Sequence, residues 1–106
     1  TTSGGPQLPG TSATGVAVTI PQDAANLGNA AFGVNPLRIA PGITVTWTNT
    51  DKMPHTVTAD DGSFNSGVLQ TGQSFSWTFN APGTFDYYCT IHPSMTGTLI
   101  VGSGNP

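Results

Sequence analysis

Three stretches of the sequence alternate apolar and polar side chains with a period of two, and this alternation restricts the fold more than any other feature. They cover residues 16–20, 43–48 and 74–79. Successive side chains of a strand point to opposite faces, so the pattern predicts strands with one buried face in an antiparallel sheet. Further strands are predicted near residues 36–40, 55–59, 84–90 and 97–101.

Turn-forming residue pairs separate the predicted strands. They are Pro41-Gly42, Asp61-Gly62, Thr71-Gly72 and Pro82-Gly83. Short strands at this spacing predict an all-β sandwich or barrel. Residues 21–35 break the strand rhythm and predict a loop or a short helix.

Length and composition predict one domain preceded by a flexible N-terminal segment. A chain of 106 residues suits a single core. Residues 1–13 are rich in Thr, Ser, Gly and Pro, which predicts a flexible N-terminal segment ahead of a domain spanning residues 14–106. Residues 1–13 could join the domain to a membrane tether through a missing N-terminal segment. They could equally be a sequence added for expression.

Charge excludes several classes of partner. The chain has two Lys or Arg residues against five Asp residues, for a formal net charge of -3. Two separated cations cannot form the basic stripe that nucleic acid or an anionic membrane requires. We therefore expect no nucleic-acid partner, and no stretch approaches the roughly 20 apolar residues of a membrane span.

Three sulfur- or imidazole-bearing side chains lie close together near the C-terminus. Cys89, His92 and Met95 fall within "CTIHPSM", and Cys89 is the only cysteine of the chain. By strand alternation Cys89 faces the interior together with Tyr87, while Tyr88 faces outward. The residues after Cys89 must form a loop, because Pro93 cannot donate to a strand ladder. One loop therefore presents a thiolate, an imidazole and a thioether.

A fourth candidate ligand, His55, opens another predicted strand and faces inward. Two imidazoles, a thiolate and a weak axial thioether are the ligands of a blue-copper electron-transfer site. We therefore predict one type 1 copper ion held by His55, Cys89, His92 and Met95. Met53 is interpreted as a packing or surface residue.

The motifs "MPHTV", "GTFDYYC" and Cys-x2-His-x2-Met resemble those of the small cupredoxins, the family of plastocyanin and amicyanin. The likeness covers about residues 14–102. It implies a Greek-key β-sandwich of about eight strands and one-electron transfer outside the cytoplasm, in the periplasm or at the outer face of the cell membrane. Residue by residue, it places the four copper ligands at the same positions.

Two residues depart from the family pattern. Many relatives have Asn after the first histidine, where it ties the ligand loops together, and here the residue is Thr56, expected to substitute only partly. Plastocyanin and amicyanin have proline two residues after the cysteine, whereas this chain has Ile91. We hypothesise that the Ile91 N–H donates a second hydrogen bond to the Cys89 sulfur, which would raise the reduction potential.

The predicted partners are redox proteins that dock briefly at the exposed edge of His92, with no small-molecule substrate. An apolar rim of Pro54, Ile91, Pro93 and Pro36 would favour weak contact. A second port beside Tyr88 would need an acidic patch, and Asp60 and Asp61 are read instead as a solvated turn. A monomer is expected.

Other functions fit the sequence less well. An electron-accepting domain of a larger copper enzyme would need ligands for a second centre, and the chain has only two histidines. A copper-handling protein needs an open, exchangeable site. A structural zinc site is disfavoured because a thioether is a poor zinc ligand. Hydrolysis by a Cys–His pair explains neither Met95 nor His55, and an immunoglobulin-like module does not explain the loop, so no enzymatic activity is expected.

Overall fold

The computed structural model of the protein describes residues 15–102. Their seven strands are β1 (Gly15–Ile20), β2 (Leu37–Ile39), β3 (Ile43–Asn49), β4 (Thr58–Ala59), β5 (Ser74–Phe79), β6 (Gly83–Tyr88) and β7 (Thr96–Val101). Two short 3₁₀ helices, Ala24–Asn26 and Gly28–Ala30, lie in the stretch predicted as a loop or short helix. The predicted segment 1–13 lies outside the described residues, so its separation from the domain stays a prediction.

The strands form two sheets, with order β1-β3-β5 in the first and β2-β7-β6-β4 in the second. The all-β Greek-key sandwich is confirmed, with seven described strands where about eight were expected. Among residues 15–102 no helix has the length and apolar character needed to cross a bilayer.

Both sheets are mixed, which corrects the antiparallel prediction. β1 runs parallel to β3, and β2 runs parallel to β7, while the other pairs are antiparallel. Alternation reports which face of a strand is buried and carries no information on the direction of its neighbour. The chain crosses to the other sheet between β1 and β3, which allows the parallel pairing.

Trp47 lies at the centre of the core, fully buried between the sheets. Its ring centroid is 5.9 Å from that of Phe64, 5.9 Å from Phe75 and 5.5 Å from Tyr87. Trp77 shares the alternation of Phe75 and Phe79 along β5, which predicts a core position, but it is 41% exposed because β5 is an edge strand. The Phe64 ring stacks on Trp47 and is buried in the same aromatic cluster.

The outer face of the first sheet carries a ladder of hydroxyl groups. Three cross-strand pairs join β3 to β5, with oxygen–oxygen distances of 2.6 Å (Thr44 and Thr78), 2.7 Å (Thr46 and Ser76) and 2.8 Å (Thr48 and Ser74). Such pairs stabilise a sheet without charge. The frame that holds the candidate site is thus fixed on both faces of β3.

Candidate metal centre

The loop that follows β6 is closed by its own backbone. The Cys89 N–H donates to the Met95 carbonyl at 3.1 Å, and the Met95 N–H donates to the His92 carbonyl at 2.9 Å. Both Cys89 and Met95 have no exposed surface, and His92 is half-buried. The loop therefore joins β6 to β7 while keeping its three predicted ligands at one end of the sandwich.

His55 reaches the same point from a separate segment. Its backbone forms a two-way bridge with Leu69, with N–O distances of 3.1 and 2.7 Å. The side chain is fully buried. The segment around His55 was predicted as strand 55–59, but the regular strand covers only Thr58–Ala59.

Three predicted ligands converge. The Cys89 Sγ lies 3.7 Å from the His55 Nδ1 and 3.9 Å from the His92 Nδ1, and the three ligand atoms lie within 4.8 Å of one another. With metal–sulfur and metal–nitrogen bonds of about 2.3 and 2.0 Å, as in zinc sites, a trigonal arrangement separates sulfur from nitrogen by about 3.7 Å. The spacing fits a metal ion bound by all three atoms.

Comparison with known proteins decides the family. Residues 22–102 match the family model described as copper binding proteins, plastocyanin/azurin family. The chain belongs to this family. Copper is therefore its cofactor, and a thiolate with two imidazoles and a nearby methionine is a donor set that suits copper.

Relatives of this cupredoxin include amicyanins and plastocyanins. It is 43% identical over 75 residues to "Amicyanin-alpha" of Methylorubrum extorquens, covering 66% of this chain and 63% of the relative. The match to the amicyanin of Paracoccus denitrificans is 37% over 70 residues, covering 61% of this chain and 53% of the relative. The chain thus spans less than two thirds of the length of these two relatives.

The solved structures agree with the fold. A purple cupredoxin from Nitrosopumilus maritimus superimposes with a TM-score of 0.73 at 35% identity, covering 81% of this chain and 98% of that chain. A mutant of amicyanin in its Cu(I) form gives a TM-score of 0.69 at 28% identity, covering 84% of this chain and 83% of that chain. The cupredoxin sandwich therefore extends over nearly all the described residues.

Thr56 ties the two ligand segments together. Its Oγ1 accepts a hydrogen bond from the Thr90 N–H at 2.8 Å and lies 3.2 Å from the Thr90 Oγ1. Its own N–H donates to the Cys89 Sγ at 3.4 Å. The hydroxyl thus makes the link between the segments that the sequence analysis assigned to Asn in relatives.

The hydrogen bond hypothesised from Ile91 is not formed. Among residues 15–102 the only backbone N–H that donates to the Cys89 Sγ is that of Thr56. Ile91 is 41% exposed and lies on the surface of the loop. The reason for expecting Ile91 to raise the reduction potential is therefore gone.

Asp51 lies at the site and was not predicted from the sequence. This side chain is 3% exposed, and its Oδ2 lies 2.7 Å from the His55 Nε2. The hydrogen bond with His55 holds the pKa of the Asp51 carboxyl below its usual value, helped by the Asp23 and Lys52 amides and opposed by burial. The spacing of Asp51 and His55, four residues apart, was a signal that sequence reasoning did not use.

Proposed function

We propose that this cupredoxin carries one electron at a time between extracytoplasmic redox proteins, with His55, Cys89, His92 and Met95 holding a type 1 copper ion. The observation that carries the proposal is the convergence of the Cys89 Sγ and two histidine Nδ1 atoms at 3.7 and 3.9 Å. When bound, copper supplies the exchange between Cu(I) and Cu(II). The proposal is limited to the portion of the amicyanins that this chain matches.

The protein frame fixes the positions of the proposed ligands. His55 is fixed by its bridge to Leu69, and the loop of Cys89 and Met95 by its internal hydrogen bonds. Burial of Cys89 excludes water from the thiolate. Segments held in this way would keep the ligand geometry similar in the two charge states, which favours rapid electron exchange.

Partner proteins would dock where His92 approaches the surface. His92 is half-buried, and beside it in the chain Ile91 and Pro93 are exposed. Met53, two residues before His55, is 51% exposed, which agrees with its interpretation as a surface residue. A small apolar surface of this kind favours short-lived complexes, as a carrier requires.

Competing functions gain less support. A copper-handling protein needs ligands that solvent or a partner can displace, whereas three of the four proposed ligands, His55, Cys89 and Met95, are fully buried and only His92 is half-buried. An electron-accepting domain of a larger copper enzyme remains the alternative. An extracytoplasmic location and a monomeric state belong to the same proposal, and cell fractionation and sedimentation of the purified chain would test them.

The proposal is tested by adding one equivalent of Cu(II) to the metal-free, reduced protein. We expect intense visible charge-transfer absorption and narrow copper hyperfine splitting in the electron paramagnetic resonance spectrum, both lost in Cys89→Ser. Ser94→Ala, an exposed change in the same loop, is the control and should leave both signals intact. A pale, ordinary Cu(II) spectrum from the unmodified protein would refute the proposal.

A further inference from the structure

Asp51 is the one acidic side chain that the structure buries among residues 15–102. It is not a proposed ligand, and a buried carboxylate is costly unless hydrogen bonds compensate it. Its two oxygens have separate tasks. Oδ1 accepts from the Lys52 N–H at 2.8 Å and the Asp23 N–H at 3.3 Å, while Oδ2 faces the His55 Nε2 at 2.7 Å.

This arrangement fixes the tautomer of His55. An ionised carboxylate only accepts hydrogen bonds, so the His55 Nε2 must carry the hydrogen that it donates to Asp51. In the neutral ring the Nδ1 then bears a lone pair. That Nδ1 is the atom that faces the Cys89 Sγ at 3.7 Å, where a metal ligand is needed.

The Asp51 carboxylate is itself held in place. The Asp51 N–H donates to the Asn49 Oδ1 at 2.9 Å, and the Thr71 hydroxyl donates to the Asp51 carbonyl at 2.6 Å. Asn49 is fully buried and its amide donates to the Leu69 carbonyl at 2.9 Å. Since Leu69 is also bridged to His55, carboxylate and imidazole are anchored to one network.

The buried charges at the site also affect which oxidation state of copper is favoured. A Cys89 thiolate and an Asp51 carboxylate contribute two negative charges, and neutral histidines contribute none. With Cu(II) the buried group is neutral, whereas with Cu(I) it keeps one negative charge. A buried net charge is unfavourable, so Asp51 favours the oxidised ion.

We propose that Asp51 is a positioning residue that presets the His55 tautomer for metal binding and biases the site toward oxidised copper. The first half concerns the metal-free protein, and the second half rests on the proposed function. A carboxylate that only stabilised its turn would need the Asp23 and Lys52 amides alone. The contact of Oδ2 with His55 is not needed to stabilise the turn, and it therefore points to a role in orienting His55.

The first experiment uses the metal-free protein and needs no copper. Long-range ¹H–¹⁵N correlation spectra, at a pH where the His55 ring is neutral, should show hydrogen on Nε2 and a bare Nδ1. Asp51→Asn presents an amide that can accept from or donate to Nε2, so we expect a mixture of tautomers. A predominantly Nδ1-protonated His55 in the unmodified protein would overturn the first half, even if no variant folds.

The second experiment measures the reduction potential of the copper-loaded protein. We expect Asp51→Asn to lose about tenfold in its preference for Cu(II) over Cu(I), a rise of about 59 mV for a one-electron couple. Asp51→Glu, which keeps the charge, should restore most of the lost preference. Asp61→Asn is the matched control, because Asp61 is exposed and bonded only to its own turn at Ser63.

The outcomes separate the two proposals. If the unmodified protein gives no thiolate–copper absorption, the proposed function fails, while the tautomer of metal-free His55 still decides the role of Asp51 in orientation. If the absorption is present and Asp51→Asn leaves the potential unchanged, the bias toward oxidised copper is wrong. A rise of equal size in Asp61→Asn would assign the effect to net charge, and would also overturn it.

Discussion

At the scale of single residues, the centre depends on short side chains that join segments distant in sequence. Thr56 follows His55 and receives the N–H of Thr90, the residue after Cys89. One hydroxyl therefore couples the two ligand segments. Thr56 is 3% exposed, and its Oγ1 lies 2.8 Å from the Thr90 nitrogen.

We expect Thr56→Val to destabilise the metal-free protein by about 1–3 kcal/mol, because it leaves the Thr90 N–H without its acceptor. The Thr56 N–H that donates to Cys89 is retained. Denaturant unfolding of the metal-free protein measures the loss. Thr90→Val is the matched control: it removes the Oγ1–Oγ1 contact and keeps the N–H bond, so its cost should be smaller. Equal costs would contradict the assigned role of Thr56.

The sequence was enough to propose the ligands, but it did not reveal the residues that support them. Cys89, His92 and Met95 lie within seven consecutive positions, so their spacing alone indicates a site. Asp51 lies four residues before His55, but that spacing alone does not show that the two side chains meet at 2.7 Å. The hypothesised Ile91 bond was wrong because the direction of a backbone N–H in a loop depends on dihedral angles that the residue type does not determine.

At the scale of elements, alternation predicted the longer strands and failed where both faces are covered. In β1 and β3 the predicted inward residues Val18, Ile20 and Trp47 are buried. In the predicted strand 55–59 every residue is buried, since the segment lies between the second sheet and the chain that follows it. Such a segment has no solvent face and therefore no period of two.

Gly97 in β7 is required by its neighbour on β6. It pairs directly with Tyr87, and a Cβ at Gly97 would lie 2.5 Å from the Tyr87 Cζ. Tyr87 cannot retreat, because its hydroxyl is 3.4 Å from the Trp47 Nε1 and its ring packs against Phe32 with centroids 4.9 Å apart. Because Gly97 has no side chain, it leaves the space that the Tyr87 ring occupies across the strand pair.

Gly97→Ala should therefore destabilise the fold by about 1–3 kcal/mol through overpacking. Thermal and denaturant unfolding of the metal-free protein would measure the change. Gly15→Ala in β1 is the control, since its new Cβ would be 3.5 Å from the nearest heavy atom, the Thr44 carbonyl oxygen. If both variants lose the same stability, the effect belongs to strand glycines in general rather than to Tyr87.

At the scale of the whole molecule, electron transfer requires two proteins to meet, and the proposed docking surface lies at the exposed edge of His92. The chain carries a net charge of -3, so two copies repel each other weakly at a distance. On the proposed docking surface, close contact would come from the exposed apolar residues around His92. Of these Ile91, 41% exposed, adjoins His92 in the chain.

We expect Ile91→Glu to slow electron self-exchange between oxidised and reduced molecules about tenfold, equivalent to about 1.4 kcal/mol of encounter stability. The copper spectrum should stay nearly unchanged, because Ile91 is not a proposed ligand. Nuclear magnetic resonance line broadening in mixtures of the two states measures the rate. Ala17→Glu, which adds the same charge on the outer face of β1, should slow the exchange much less; a similar decrease would show that net charge alone controls it.

The pairing of β2 with β7 has a consequence for the order in which the protein assembles. Leu37 lies beside Leu99, and His55 faces Cys89, so contacts that create the centre join parts of the chain made far apart. Closing such long loops lowers the conformational entropy of the chain before the stabilising contacts form. Folding dominated by long-range pairings is therefore slow. We therefore expect the centre to form late in folding, after the two sheets have packed together. Copper that binds only after folding would slow unfolding and leave the folding rate unchanged.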